Sequence, residues 1–132
     1  PQIGSIKQDG STSEELKMLT ETRKILSLPD VQVITTCVRV PTAVGHGAAV
    51  HARFAQPIDF AEVEGILRHA PGVRMSDLPN VHEAAGNDAC FVGRVRPDPF
   101  DPNAISFFTV SDNLRKGAAL NAVQIAEILL PG

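Results

Sequence analysis

The chain has 132 residues, 43% of them hydrophobic and 20% charged, and a formal net charge of −3. That is enough for one domain with a core and too little for two, and the scattered charges with no aromatic-plus-basic cluster exclude a nucleic-acid surface. No apolar run approaches the ~20 residues that cross a bilayer, and no signal-peptide pattern opens the chain.

The two cysteines, Cys37 and Cys90, lie in apolar alternating runs and make no disulfide scaffold, so buried thiols in the reducing cytoplasm are expected. A chain that begins at Pro1 and not at Met points to a processed or truncated polypeptide.

In chain order, Ser11-Thr12-Ser13-Glu14-Glu15 opens a helix, because Ser11 or Thr12 can cap backbone N–H groups with Glu14 or Glu15 three residues on. The helix is predicted to reach about Leu28, ahead of Pro29, with Leu16, Leu19, Arg23 and Leu26 on the stripe that faces a core. Glu14 and Lys17 share a flank, and their spacing alone reads as an exposed helical ion pair.

Val31 to Val40 is β-branched and nearly unbroken, which predicts a central strand covered on both faces. Period two puts Val31, Val33, Thr35, Cys37 and Arg39 on one face. Arg39 ends that face just before Pro41, and its charge calls for either a carboxylate partner or a ligand. A loop follows in which His46 stands between Gly45 and Gly47. A planar cationic fork suited to carboxylate or phosphate, close to the side chain that titrates nearest neutrality, makes Thr35–Gly47 the candidate site.

Ala48 to Phe54 reads as the next strand, with His51 an ordinary sheet residue. Asp59 caps a second helix, with Glu62 as its capping-box partner and Phe60, Val63, Ile66 and Leu67 as its stripe, and Ala70-Pro71-Gly72 ends it. Val73-Arg74-Met75 is a short strand, and Ser76 to Asn87 is an irregular surface stretch. His69, His82 and the cysteines match no zinc spacing, so no metal site is expected.

Ala89–Arg96 and Ile105–Val110 are strands suited to antiparallel pairing around the turn-rich Pro97–Asn103. Leu114 to Leu130 is a long final helix whose apolar side carries Ala118, Ala119, Ala122, Val123, Ala126 and Leu129. The sum is one α+β domain, a mostly antiparallel or mixed sheet of about five strands with helices on one face.

Four motifs in this order carry a resemblance. They are Pro1-Gln2-Ile3-Gly4; Glu14-Glu15-Leu16-Lys17 with Glu21-Thr22-Arg23-Lys24-Ile25; Thr36-Cys37-Val38-Arg39-Val40-Pro41 with Gly45-His46; and Asp112-Asn113-Leu114-Arg115-Lys116-Gly117-Ala118-Ala119. Together they resemble the C-terminal half of bacterial aspartate-semialdehyde dehydrogenases. The resemblance implies a catalytic and dimerisation domain like the C-terminal domain of glyceraldehyde-3-phosphate dehydrogenase. The whole enzyme converts aspartyl phosphate into aspartate semialdehyde by reductive dephosphorylation, on the route to lysine, methionine and threonine. NADP is bound mainly by an N-terminal Rossmann domain.

Carried over residue by residue, the resemblance makes His46 the acid/base histidine and Arg39 the fork for the substrate carboxylate. It makes Glu14 the partner of the substrate amino group and Lys17 a phosphate-binding base. Asn113 matches a position near the nicotinamide end of the cofactor. The final helix is expected to pack on the nucleotide-binding domain, and the chain to form a homodimer through its sheet.

Departures matter as well. The family's nucleophilic cysteine lies upstream of the Pro-Gln-Ile-Gly motif, and neither it nor the Gly-rich dinucleotide turn is among these residues. Cys37 belongs to the strand motif and does not take the nucleophile's place. Gly47 stands where relatives often carry Ser. These 132 residues alone are therefore expected to lack dehydrogenase activity. The alternatives are a non-catalytic α+β oligomerisation or ligand-binding module derived from the family, and a related acyl-phosphate reductase with another substrate.

Overall fold

The computed structural model describes residues 3–130, so Pro1 and Gln2 of the first motif and the closing Pro131-Gly132 lie outside the described residues. The chain divides into two compact units, Pro1–Pro41 and Thr42–Gly132.

The first unit is built on helix α1, Ser13–Leu26. Its start is a reciprocal capping box: the Glu15 N–H donates to Thr12 Oγ1 at 3.3 Å, and the Thr12 N–H donates to Glu15 Oε2 at 2.7 Å. The helix stops at Leu26, two residues short of the predicted end, because Ser27 turns left-handed at φ 54° and the Leu28 N–H closes on the Arg23 carbonyl. The predicted apolar stripe is only partly covered. Leu19 and Arg23 are half-buried, whereas Leu16 and Leu26 are exposed.

The run from Val31 to Val40 corrects the expectation of a buried central strand. It is extended, and its burial alternates: Val31, Val33, Thr35 and Cys37 are half-buried, while Gln32, Ile34, Thr36 and Val38 are exposed. Val38 makes a single β-bridge, and no strand of the sheet runs along the segment among the described residues. The β-branched pattern sets the backbone shape and the inward face, but a ladder also needs a neighbour in register.

The second unit holds a four-stranded mixed sheet. Strands β1 (His46–Arg53), β2 (Val73–Met75), β3 (Cys90–Pro97) and β4 (Ala104–Ser111) lie in the order β1-β4-β3-β2. β4 pairs antiparallel with β1 and β3, and β2 runs parallel to β3. About five strands were expected; the one missing from the count is the Val31–Val40 run. Helix α2, Phe60–His69, begins where Asp59 accepts the N–H groups of Ala61 and Glu62, and it packs on β2 and β3. Its stripe buries Phe60, Val63 and Leu67 in part and leaves Ile66 exposed.

Phe91 of β3 and Val110 of β4 are each 1% exposed and form the core with Ala84, flanked by Val81, Ala89 and Phe108. Ala84 ends a short helix α3, Val81–Ala84, within a stretch expected to be irregular throughout. Asn80 caps it by accepting the Glu83 N–H at 3.0 Å. The chain before α3 crosses β3 at Gly93, where a Cβ would come within 1.8 Å of the Ser76 carbonyl oxygen, so only glycine admits the approach.

The final helix is not one regular element. Arg115–Ala119 forms a π-helical turn, and α4 runs Leu120–Leu129. The Gly117 N–H reaches back to the Asp112 carbonyl and the Ala119 N–H to that of Leu114, the wider i→i+5 closure of a π turn. Val123, Ile125, Ile128 and Leu129 on α4 are all more than half exposed.

Candidate functional site

His46 is the first residue of β1, where the sequence alone suggested a loop, and it pairs with Ser111 at the end of β4. Its ring is exposed and makes no hydrogen bond or ion pair among the described residues. The backbone beside it is tightly held. Gly45 is buried at φ 102°, under the Val81 side chain, and its N–H donates to Asn113 Oδ1 at 2.7 Å.

Asn113 stands on a rigid base. Asp112 is 4% exposed. Its carboxylate accepts N–H groups from Gly86 at 2.8 Å, Leu114 at 2.8 Å and Arg115 at 3.2 Å. Those donors, Gly86 first, hold its pKa below the ordinary carboxylate value against the opposing effect of burial.

In the first unit, Arg39 is exposed and its guanidinium likewise has no bond among the described residues. The expected need for a carboxylate partner does not arise, because outside a buried sheet the charge stays hydrated. Two residues earlier the chain is fixed: the Cys37 N–H donates to Glu15 Oε1 at 2.8 Å. One carboxylate thus caps α1 and anchors the extended run to it. The same N–H groups, that of Cys37 first and then that of Thr12, lower the Glu15 pKa. The run is held at its other end by Arg23, whose Nε donates to the Val31 carbonyl at 2.9 Å.

Glu14 and Lys17 form the ion pair their spacing predicts, at 3.2 Å and largely hydrated. Cys37 and Cys90 are free thiols, each half-buried. Burial first, then the Glu15 and Glu14 carboxylates, push the Cys37 thiol up, the reverse of what a nucleophile needs. Among the described residues no group of His, Cys, Asp and Glu side chains could hold a metal ion. His51 is the sheet residue it was expected to be, bonded to Ser106 at 3.1 Å and 3.7 Å from Asp98.

Residues 1–116 match the family described as semialdehyde dehydrogenase, dimerisation domain. The chain belongs to that family. It is 50% identical over 131 residues to the aspartate-semialdehyde dehydrogenase of Streptomyces akiyoshiensis, and 45% identical over 138 residues to that of Bacillus subtilis. In each case 98% of this chain is aligned with 39% of the relative, so it spans about two fifths of their length. The crystal structure of aspartate semialdehyde dehydrogenase II from Vibrio cholerae, complexed with ASA, superposes with a TM-score of 0.92 at 44% identity, over 98% of this chain and 40% of that one.

Two residues whose role local sequence patterns do not mark fix the backbone beside the candidate residues, Glu15 in the first unit and Asp112 in the second. Glu15 was visible as half of a capping box, but its second oxygen serves Cys37, 22 residues away. Asp112 precedes the final helix as a capping residue would, yet its bond to Gly86 spans 26 residues and has no local signature.

Proposed function

We propose that this chain is the catalytic and dimerisation half of an NADP-dependent aspartate-semialdehyde dehydrogenase of the cytoplasm. The whole enzyme makes aspartate semialdehyde from aspartyl phosphate, with loss of phosphate, on the way to lysine, methionine and threonine. Family membership and the relatives' names support the activity. One observation about this chain supports the site. The side chains of Arg39 and His46 stand exposed and make no bond among the described residues, while the backbone beside each is tied, Cys37 to Glu15 and Gly45 to Asn113.

In this reading the Arg39 fork takes the substrate carboxylate through two parallel N–H bonds. Glu14 faces the substrate amino group and Lys17 the phosphate, so their mutual ion pair opens when substrate arrives. A ring nitrogen of His46 accepts the proton of the attacking thiol, which lies in the part of the enzyme outside these residues. It later returns a proton to the oxygen of the reduced carbonyl carbon.

Asn113 fits the cofactor's carboxamide. Its oxygen is occupied by the Gly45 N–H, which leaves the amide NH2 to donate to a carbonyl. NADPH, when bound, supplies the hydride. The exposed apolar side of α4 packs on the nucleotide-binding domain, and the sheet pairs two copies as a homodimer.

The test is steady-state kinetics of the full-length enzyme. His46→Gln is expected to lower kcat by about 10²- to 10⁴-fold with little change in KM, and Arg39→Ala to raise KM for aspartate semialdehyde more than it lowers kcat. A His46→Gln enzyme with wild-type kcat would sink the assignment. The 132-residue chain alone is expected to show no turnover.

A further inference from the structure

Asn113 sits 68 positions from Gly45, and the hydrogen bond between them joins the start of the final helical segment to the joint from which His46 departs. We propose that Asn113 is a positioning residue for His46, acting through the Gly45 backbone; this rests on His46 being the acid/base group.

The reason lies in Gly45. At φ 102° it occupies backbone space that L side chains rarely adopt, and a Cβ there would meet Val81 Cβ and Cγ1 at 3.2 Å and the Ser111 carbonyl oxygen at 3.5 Å. Glycine solves the fit but leaves a joint with the widest rotational freedom of any residue. A joint that must be Gly and must also aim a side chain needs a restraint from outside its own torsions.

The Asn113 carbonyl supplies it. The Gly45 N–H is buried, and with no acceptor it would carry the cost of an unmade bond. The simplest relief is rotation about Gly45, and His46 would turn with it.

The restraint is itself well founded. Ser111, two residues before Asn113, is the ladder partner of His46. Asp112 between them is locked by three N–H donors. The His46 backbone is therefore held on one side by the β1–β4 ladder and on the other by Asn113, while its ring makes no bond among the described residues. Since the Gly45 N–H can only donate, the amide must present its oxygen there, and the residue's acceptor is what matters to His46. An aspartate in its place keeps that acceptor; an alanine removes it.

The test uses the full-length enzyme without cofactor, and reads the rate of alkylation of its nucleophilic thiol by iodoacetamide as a function of pH, alongside thermal unfolding. His46→Gln sets the reference, with the thiolate limb moved to higher pH. Asn113→Ala is expected to move the limb in the same direction and to slow alkylation at neutral pH by about tenfold to a hundredfold. Asn113→Asp is expected to restore it. Gly45→Ala, which strains the same joint with the Asn113 amide intact, is expected to copy Asn113→Ala.

If Asn113→Ala does not fold, Asn113→Ser, too short to reach, takes its place. A lowered melting temperature with an unchanged pH profile overturns the proposal, as does an Asn113→Asp enzyme as impaired as the alanine variant. If His46→Gln itself leaves the profile unchanged, the His46 reading has failed and the positioning role falls with it.

Discussion

Two stretches of this chain alternate with period two and meet different fates. They are Val31–Val40, rich in β-branched residues, and the β3–β4 pair, where aromatic and small residues share the alternation. Phe91 and Val110 in the pair are 1% exposed, whereas Ile34 in the run is 98% exposed. The pair is fixed by ladder bonds on both sides of β4 and by core packing. The run lies outside that sheet and is tied at separate points, by Arg23 at Val31, by Glu15 at Cys37 and by a single bridge at Val38. An extended conformation can thus be kept in two ways: by neighbours along its whole length, or by a few bonds at chosen points. The second leaves most side chains of the run uncommitted, Arg39 among them.

The sharpest way to separate the two regions is truncation in the core. Phe91→Ala in this chain is expected to cost about 3–5 kcal/mol in denaturant unfolding, enough to consume much of a small domain's stability. A cost near that of a surface change would show that the sheet does not dominate.

Next comes the clamp. Glu15 is ionised more readily in the folded chain than in the unfolded one, so its contribution is complete above the ordinary carboxylate pKa and is lost as pH falls through the lowered folded value. Glu15→Gln is therefore expected to lower stability at neutral pH and to flatten the decline in acid, measured as melting temperature against pH. Asp112 carries the same sign by the same kind of N–H bonding, and so sets an acid dependence in the sheet unit that Glu15→Gln leaves in place.

The smallest effect is expected at Ile34. Ile34→Ala in this chain should change stability by no more than about 0.5 kcal/mol, against several for Phe91. A loss comparable to that of the core variant would show that the run is covered, and would remove the contrast.

Much of the fold follows from local rules. The capped start of α1, the Asp59 cap of α2, Val73–Met75 and the antiparallel β3–β4 pair lie where capping and period-two patterning put them. The π turn at Arg115–Ala119 does not, because it depends on which carbonyl each N–H selects, and helical periodicity is nearly the same either way. Alternation predicts one strand more than the four-stranded sheet holds, because it reports a half-covered extended chain and is silent about its neighbours.

The candidate site divides in the same manner. Residue type alone marked Arg39 and His46, since a guanidinium fork and an imidazole have chemistry that does not depend on fold. The glycines on either side of His46 mark the break at which β1 starts, whereas the strand end expected at Arg39 is an extended run outside the sheet. What only the tertiary structure decided is what holds them. Glu15 reaches Cys37 across 22 residues and Asn113 reaches Gly45 across 68. Bonds at such separation leave no trace in local periodicity; they exist because the folded chain brings a carboxylate or an amide oxygen opposite a backbone N–H that has no other acceptor.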